Sequence, residues 1–121
     1  MTDPVFHLAL ADAWAEAFVS GEYRASTVGV TLDDVGFIHL SYEHQVRAVA
    51  DAFYRGRADV MLLAIDPARV GAPIVDEVAE GTDEVFPHLY GPLPVIAVMS
   101  ALPVPLLDDG RLDLGHSVGP L

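Results

Sequence analysis

Residues 59–65 read DVMLLAI, with Asp66-Pro67 immediately behind them. Six apolar residues in a row, stopped by a turn-forming Asp-Pro pair, are too few for an ordinary helix and predict a buried strand. This is the strongest strand signal in the chain, and the fold turns on what surrounds it. Ahead of it, Ser41 stands at the N-cap of a predicted helix whose Val46, Val49, Ala50 and Phe53 line one face and which Gly56 ends. Further upstream, Phe37–Leu40 reads as a short strand, and Thr31 with Asp34 as a capped single turn cut off by Gly36. Residues 22–30 are irregular or weakly extended. Leu10, Trp14 and Phe18, at four-residue spacing, predict a helix over residues 10–19, preceded by a first strand at Val5–Leu8.

Downstream of DVMLLAI the helical pattern disappears. Ile74, Val75 and Val78 predict another strand, and Val95–Leu102 an apolar strand ended by Pro103. Asp108-Asp109-Gly110-Arg111 is a turn signal that joins two terminal strands as a hairpin. Two main helices early and strands late give an α+β fold with an antiparallel-rich sheet, not a regularly alternating parallel one. The 121 residues fit a single domain over 1–121, with no internal repeat.

Composition narrows the chemistry. Apolar residues make up 52 %, enough for a folded core, and no apolar run approaches the roughly 18 residues of a membrane span. The N-terminal stretch MTDPVFHLALADAW has no basic region and carries acids, unlike a signal peptide, so a cytoplasmic location is expected. Cysteine is absent, which removes disulfides, thiolate ligands and a cysteine nucleophile. Eighteen acids stand against six arginines and no lysine, for a net charge of −12. Long nucleic acid is therefore not an expected partner, because phosphate neutralisation needs cations. The missing lysine also excludes a Schiff base and a GKS/GKT phosphate loop.

Five histidines remain to be explained. His44 begins the second helix and reads as solvated, and His116 lies in the tail LGHSVGPL. His7 and His39 instead sit within short apolar strands, and His88 lies in FPHLYGPLP (residues 86–94). Strand alternation puts His7 with Val5 and Ala9, His39 with Phe37 and Ser41, and His88 with Phe86 and Tyr90. The prolines and Gly91 suit neither a helix nor the middle of a sheet, so this segment reads as a stiff loop at the lip of one. Taken singly, each histidine is more often a satisfied core residue. Three in such settings point to a shared polar pocket. No local spacing gives a zinc-ligand pair, and no GxSxG elbow is present, so neither a metal nor a serine nucleophile is predicted. Neutral imidazoles beside Tyr90 and Phe86 suit a small ligand with sugar hydroxyls or a phosphate ester.

The strand with His7 before the Trp14 helix, GFIHLS at 36–41, Gln45-Val46 with Phe53-Tyr54, LLAID and FPHLYGPL together resemble the domain-of-unknown-function family 952. The resemblance runs over about residues 5–104, leaving 105–121 as a C-terminal hairpin or tail. Members are small, mostly bacterial proteins. The family is remotely similar to the ADP-ribosyltransferase and RNA 2′-phosphotransferase superfamily. That relationship implies a split β-sheet core clamping NAD and an NAD-dependent, ADP-ribosyl-transfer-type reaction. On this reading His39, His88 and Glu77 are catalytic, and His7, Ser41, Tyr90 and Phe86 bind ligand. A non-catalytic nucleotide- or small-ligand-binding module is the alternative. One departure concerns the loop before FPHLY, which often carries a basic residue in the family. Here it reads Ala79-Glu80-Gly81, which implies a different or less charged ligand.

Overall fold

A computed structural model describes residues 3–26, 29–79 and 81–115; His116 and Glu80 lie outside the described residues. The elements in chain order are β1 (Val5–Leu10), α1 (Ala11–Ser20), β2 (Glu22–Tyr23), α2 (Leu32–Val35) and β3 (Ile38–His39). A 3₁₀ turn over Glu43–Gln45 then leads into α3 (Val46–Phe53). There follow β4 (Val60–Ile65), β5 (Ile74–Val78), β6 (Val85–Leu89), β7 (Leu93–Pro94) and β8 (Val98–Pro103). The architecture is α+β, and every strand pairing among the described residues is antiparallel.

DVMLLAI is the central strand of the sheet β1-β4-β8, with Leu63 between His7 on one side and Ala101 on the other. Its unbroken apolar run has a physical cause, because both faces of this sheet are covered. Leu63 and Ile65 join Val5, Ala9 and Tyr23 in one cluster, to which α1 adds Ala17 and the partly buried Trp14. Val60 and Leu62 join Phe6 and Leu8 in a second, to which α3 adds Val46, Val49 and Ala50. Each fully buried Leu or Ile contributes about 1.5–3 kcal/mol.

The remaining strands form a two-stranded ribbon, β2-β7, and a second three-stranded sheet, β3-β6-β5. Phe6 and Ser41 exchange backbone hydrogen bonds of 2.8 Å, joining the edge of β1 to the chain just after β3. Ser41 is therefore a link between sheets and not a helix cap. Tyr42 leads into the 3₁₀ turn instead, its N–H donating to the Gln45 side-chain oxygen. Thr31 does form a reciprocal capping box with Asp34, and Gly36 ends α2 with φ of 85°.

Other sequence expectations change as well: Val95–Ala97, expected to open the last apolar strand, form a 3₁₀ turn, and Pro103, expected to follow that strand, is the last residue of β8. Leu10 belongs to β1, because its pairing with Val60 continues the β1–β4 ladder, so α1 buries Ala17 and part of Trp14 while Phe18 is exposed. Phe53 ends α3 over half exposed. FPHL, expected in a loop, is the central strand β6 of its sheet. Proline lacks the N–H that a central strand needs on both sides. Here Leu40 N–H donates to the Pro87 carbonyl, and a strand residue's nitrogen and oxygen point to the same side. The missing donor therefore faces β3, whose pairing ends one residue earlier at His39. The DDGR turn forms, with Leu107 N–H donating to the Arg111 carbonyl, but in place of the two terminal strands expected around it there is a single bridge between Leu106 and Leu112.

Candidate functional site

Antiparallel register decides which side chains meet on the sheet β3-β6-β5. His39 pairs with His88, Val75 with His88, and Glu77 with Phe86. Alternation then puts Phe37, His39, Phe86, His88, Tyr90, Val75 and Glu77 on one face. The imidazoles of His39 and His88 lie with ring centres 5.4 Å apart. Phe37 stacks on His88 at 4.0 Å with 13° between planes, and Phe86 lies 4.7 Å from His39.

The polar groups form a chain. Glu77 Oε1 accepts from His88 Nδ1 at 2.9 Å and from the Tyr90 hydroxyl. Both bonds favour the carboxylate, so the Glu77 pKa is lowered, first by Tyr90 and then by His88, and the Tyr90 pKa is raised in return. Because the carboxylate only accepts, it fixes the proton of neutral His88 on Nδ1 and leaves a lone pair on Nε2. That Nε2 is buried and has no hydrogen-bond partner, and neither has His39 Nε2. Burial, then the nearby His88, lower the pKa of His39 to about 4, so its ring is neutral at pH 7. Its backbone N–H is held by Ser26 Oγ at 3.0 Å. Both rings line a cavity of about 210 Å³ with Ser26, Val30, Phe37 and Phe53. Two adjacent imidazole nitrogens, out of water and unpaired, can hold a ligand's polar edge or move a proton to or from it.

His7 is a different kind of histidine. Its Nδ1 lies 2.7 Å from the His39 carbonyl and its Nε2 2.9 Å from the Tyr23 hydroxyl. The carbonyl only accepts, so Nδ1–H donates to it and Nε2 accepts from Tyr23. Burial lowers the His7 pKa to about 4 and raises that of Tyr23. With both nitrogens engaged, His7 holds the backbone of His39 and does not line the cavity. Ser41 likewise is buried in its pairing with Phe6. Of the residues singled out in the sequence, the fold thus gathers His39, His88, Glu77, Phe86 and Tyr90, and sets His7 and Ser41 behind them.

Phe37 was legible as a face-mate of His39, though its stacking on His88 was not. Ser26 carried no local signal at all. Gly91 has a steric reason: a Cβ there would meet the Ala72 Cβ at 2.7 Å. Among the described residues no group of three or more acidic or imidazole ligands converges on a metal position. Nor is any helix there long and apolar enough to cross a membrane.

Fold and site together define a small α+β protein with a histidine-lined face on an antiparallel sheet. The chain belongs to the family described as "Protein of unknown function (DUF952)", whose model matches residues 8–101. The crystal structure of protein CC0527 from Caulobacter crescentus is similar over 95 % of this chain and 97 % of its own, with 31 % identity and a TM-score of 0.83. The solution NMR structure of CC0527 is similar over 94 % and 95 %, with 32 % identity and a TM-score of 0.77. No curated protein matches the chain.

Proposed function

We propose that the His39–His88 face binds a small nucleotide-type ligand, with NAD as the candidate substrate of an ADP-ribosyl-transfer-type reaction on an ADP-ribosyltransferase-like fold. The observation that carries this reading is the pair of buried, unpartnered Nε2 atoms, one of them on a ring oriented by Glu77. In such a reaction the nicotinamide–ribose C–N bond breaks and its electron pair leaves on nicotinamide. An acceptor hydroxyl bonds to the ribose carbon and gives its proton to His88 Nε2. Glu77, accepting from Nδ1–H, stabilises the imidazolium so formed. His39, neutral, supplies a hydrogen bond to the ligand, and Tyr90 and Phe86 border it. His7 and Ser41 contribute by holding the strand behind the site.

The test is titration with NAD at millimolar concentration, followed by chemical shifts of the histidine rings and by nicotinamide release with candidate acceptors. Shifts at His39 and His88, and release abolished by His88→Ala, are expected. No shift and no release with any acceptor would sink the reading.

A second reading, binding without turnover, is favoured by one observation. No arginine is among the residues lining the 210 Å³ cavity, so nothing there neutralises a pyrophosphate. It predicts saturable binding of an uncharged ligand that weakens in His39→Ala and His88→Ala, with no product.

A further inference from the structure

Ser26 and Val30 each belong to two cavity walls. One cavity holds the rings of His39 and His88. The other, of about 220 Å³, lies between β1, α1 and β2, where Leu8, Leu10, Ala13, Tyr23 and Tyr54 line it. Neither volume alone reaches the roughly 300–1,000 Å³ usual for a small-molecule site, whereas the two together do.

The chambers differ in chemistry. The first offers unpaired imidazole nitrogens. In the second the hydroxyls are already engaged: Tyr23 donates to His7, Tyr54 to the Leu8 carbonyl and Thr31 to Asp34, and Ser26 Oγ accepts from the His39 N–H. Away from Ser26, whose O–H can still donate, a polar group entering it would lose water with little replacement, which an apolar group would not. Among the described residues, neither chamber has an acidic, lysine or arginine side chain in its lining.

We infer that the two chambers form one bipartite site for an amphipathic small molecule. Its planar, hydrogen-bonding head meets His39 and His88, and its uncharged aliphatic or aryl tail passes Ser26 and Val30 to lie among Leu10, Ala13 and Tyr23. The head half rests on the ligand reading of the histidine face; the tail half rests on the second cavity.

A series of N-alkyl nicotinamides, from methyl to hexyl on the amide nitrogen, tests both halves by chemical-shift titration. The expected result is movement of the His39 and His88 ring signals throughout the series. The Kd should fall roughly fourfold per added methylene until the chamber is full. Leu10→Trp should abolish the length dependence, and Ala13→Leu, a smaller intrusion, should shorten the series at which the gain stops. A Kd independent of chain length, with the rings still responding, would overturn the second chamber and leave the histidine site standing. Length dependence without any response from the rings would overturn the bipartite arrangement together with the histidine site as the head's position. Absence of binding across the whole series overturns both.

Discussion

In the fold His7 and His88 are each a lone imidazole in a short apolar strand, and each is about 4 % exposed. What separates them is the supply of partners. His7 lies where β1 passes the end of β3 and the ribbon strand β2. There it finds a carbonyl for Nδ1 and a hydroxyl for Nε2. His88 lies on a sheet face with one carboxylate in reach, and its second nitrogen meets nothing. Burying a polar atom without a partner costs about 1–3 kcal/mol. Two such atoms on one sheet face are what the proposed ligand would satisfy. Burial alone therefore does not distinguish the two histidines; unmet hydrogen-bonding capacity does.

The sharpest way to break this comparison is truncation. His7→Ala orphans the Tyr23 hydroxyl and the His39 carbonyl and leaves a void, so a loss of about 3–5 kcal/mol is expected in urea unfolding. His88→Ala forfeits a stack on Phe37 and one bond to a partly exposed carboxylate, and a loss of about 1–2 kcal/mol follows. Equal losses would mean that the two rings have the same role.

Acid sharpens it next. His7 in the folded protein has its pKa depressed to about 4, whereas in the unfolded chain it titrates at about 6.5. As pH falls below about 6.5 the unfolded state takes up the proton first, so stability declines, and the decline levels off below about 4. Its full size is on the order of 3 kcal/mol. His39, depressed by burial and by His88, adds a loss in the same direction. Measuring urea midpoints between pH 7.5 and 5 stays above the ordinary carboxylate range. The slope should shrink in His7→Phe; an unchanged slope would assign the acid sensitivity elsewhere.

How far these differences were legible follows from the physics of each. The DVMLLAI strand, the capped turn at Thr31 and the DDGR turn announce themselves through local patterns, and the fold keeps them. Strand alternation also predicted that Phe86, His88 and Tyr90 share a face, because period two survives any register. Register itself is non-local. Nothing near His7 in the chain indicates Tyr23, 16 residues on, or the His39 carbonyl, 32 residues on. The same holds for Ser41, whose local setting resembles a helix cap until its backbone is spoken for by Phe6. Pro87 misled for a similar reason. Its missing N–H argues against a central strand unless the neighbouring strand happens to end beside it.

A smaller effect, of opposite sign, is expected at His39. Replacing it with Leu removes a buried nitrogen without a partner and keeps apolar bulk against Phe86. The gain should be about 1 kcal/mol in urea unfolding, alongside loss of the ligand response. Stabilisation at a residue whose removal abolishes binding is the mark of a site held at the expense of the fold. A destabilised His39→Leu would instead place His39 with His7, among the residues that serve packing.

The smallest effect on stability falls at Glu77, and it tells most about chemistry. The side chain is partly exposed, so Glu77→Ala should leave the unfolding midpoint close to that of the parent. Its consequence is at the far side of the neighbouring ring. Without an acceptor at Nδ1, His88 loses the bond that keeps its lone pair on Nε2, and both tautomers become populated. Ring ¹⁵N shifts read this directly, as a single Nδ1–H tautomer in the parent and an averaged pair in Glu77→Ala. Glu77→Gln, whose amide oxygen can still accept, should restore the single tautomer while withdrawing the negative charge. If proton transfer at Nε2 matters, Gln rescues ligand binding but not turnover; if the site only binds, Gln rescues everything. An unchanged tautomer in Glu77→Ala would show that the sheet itself orients His88, and Glu77 would then have no part in the site.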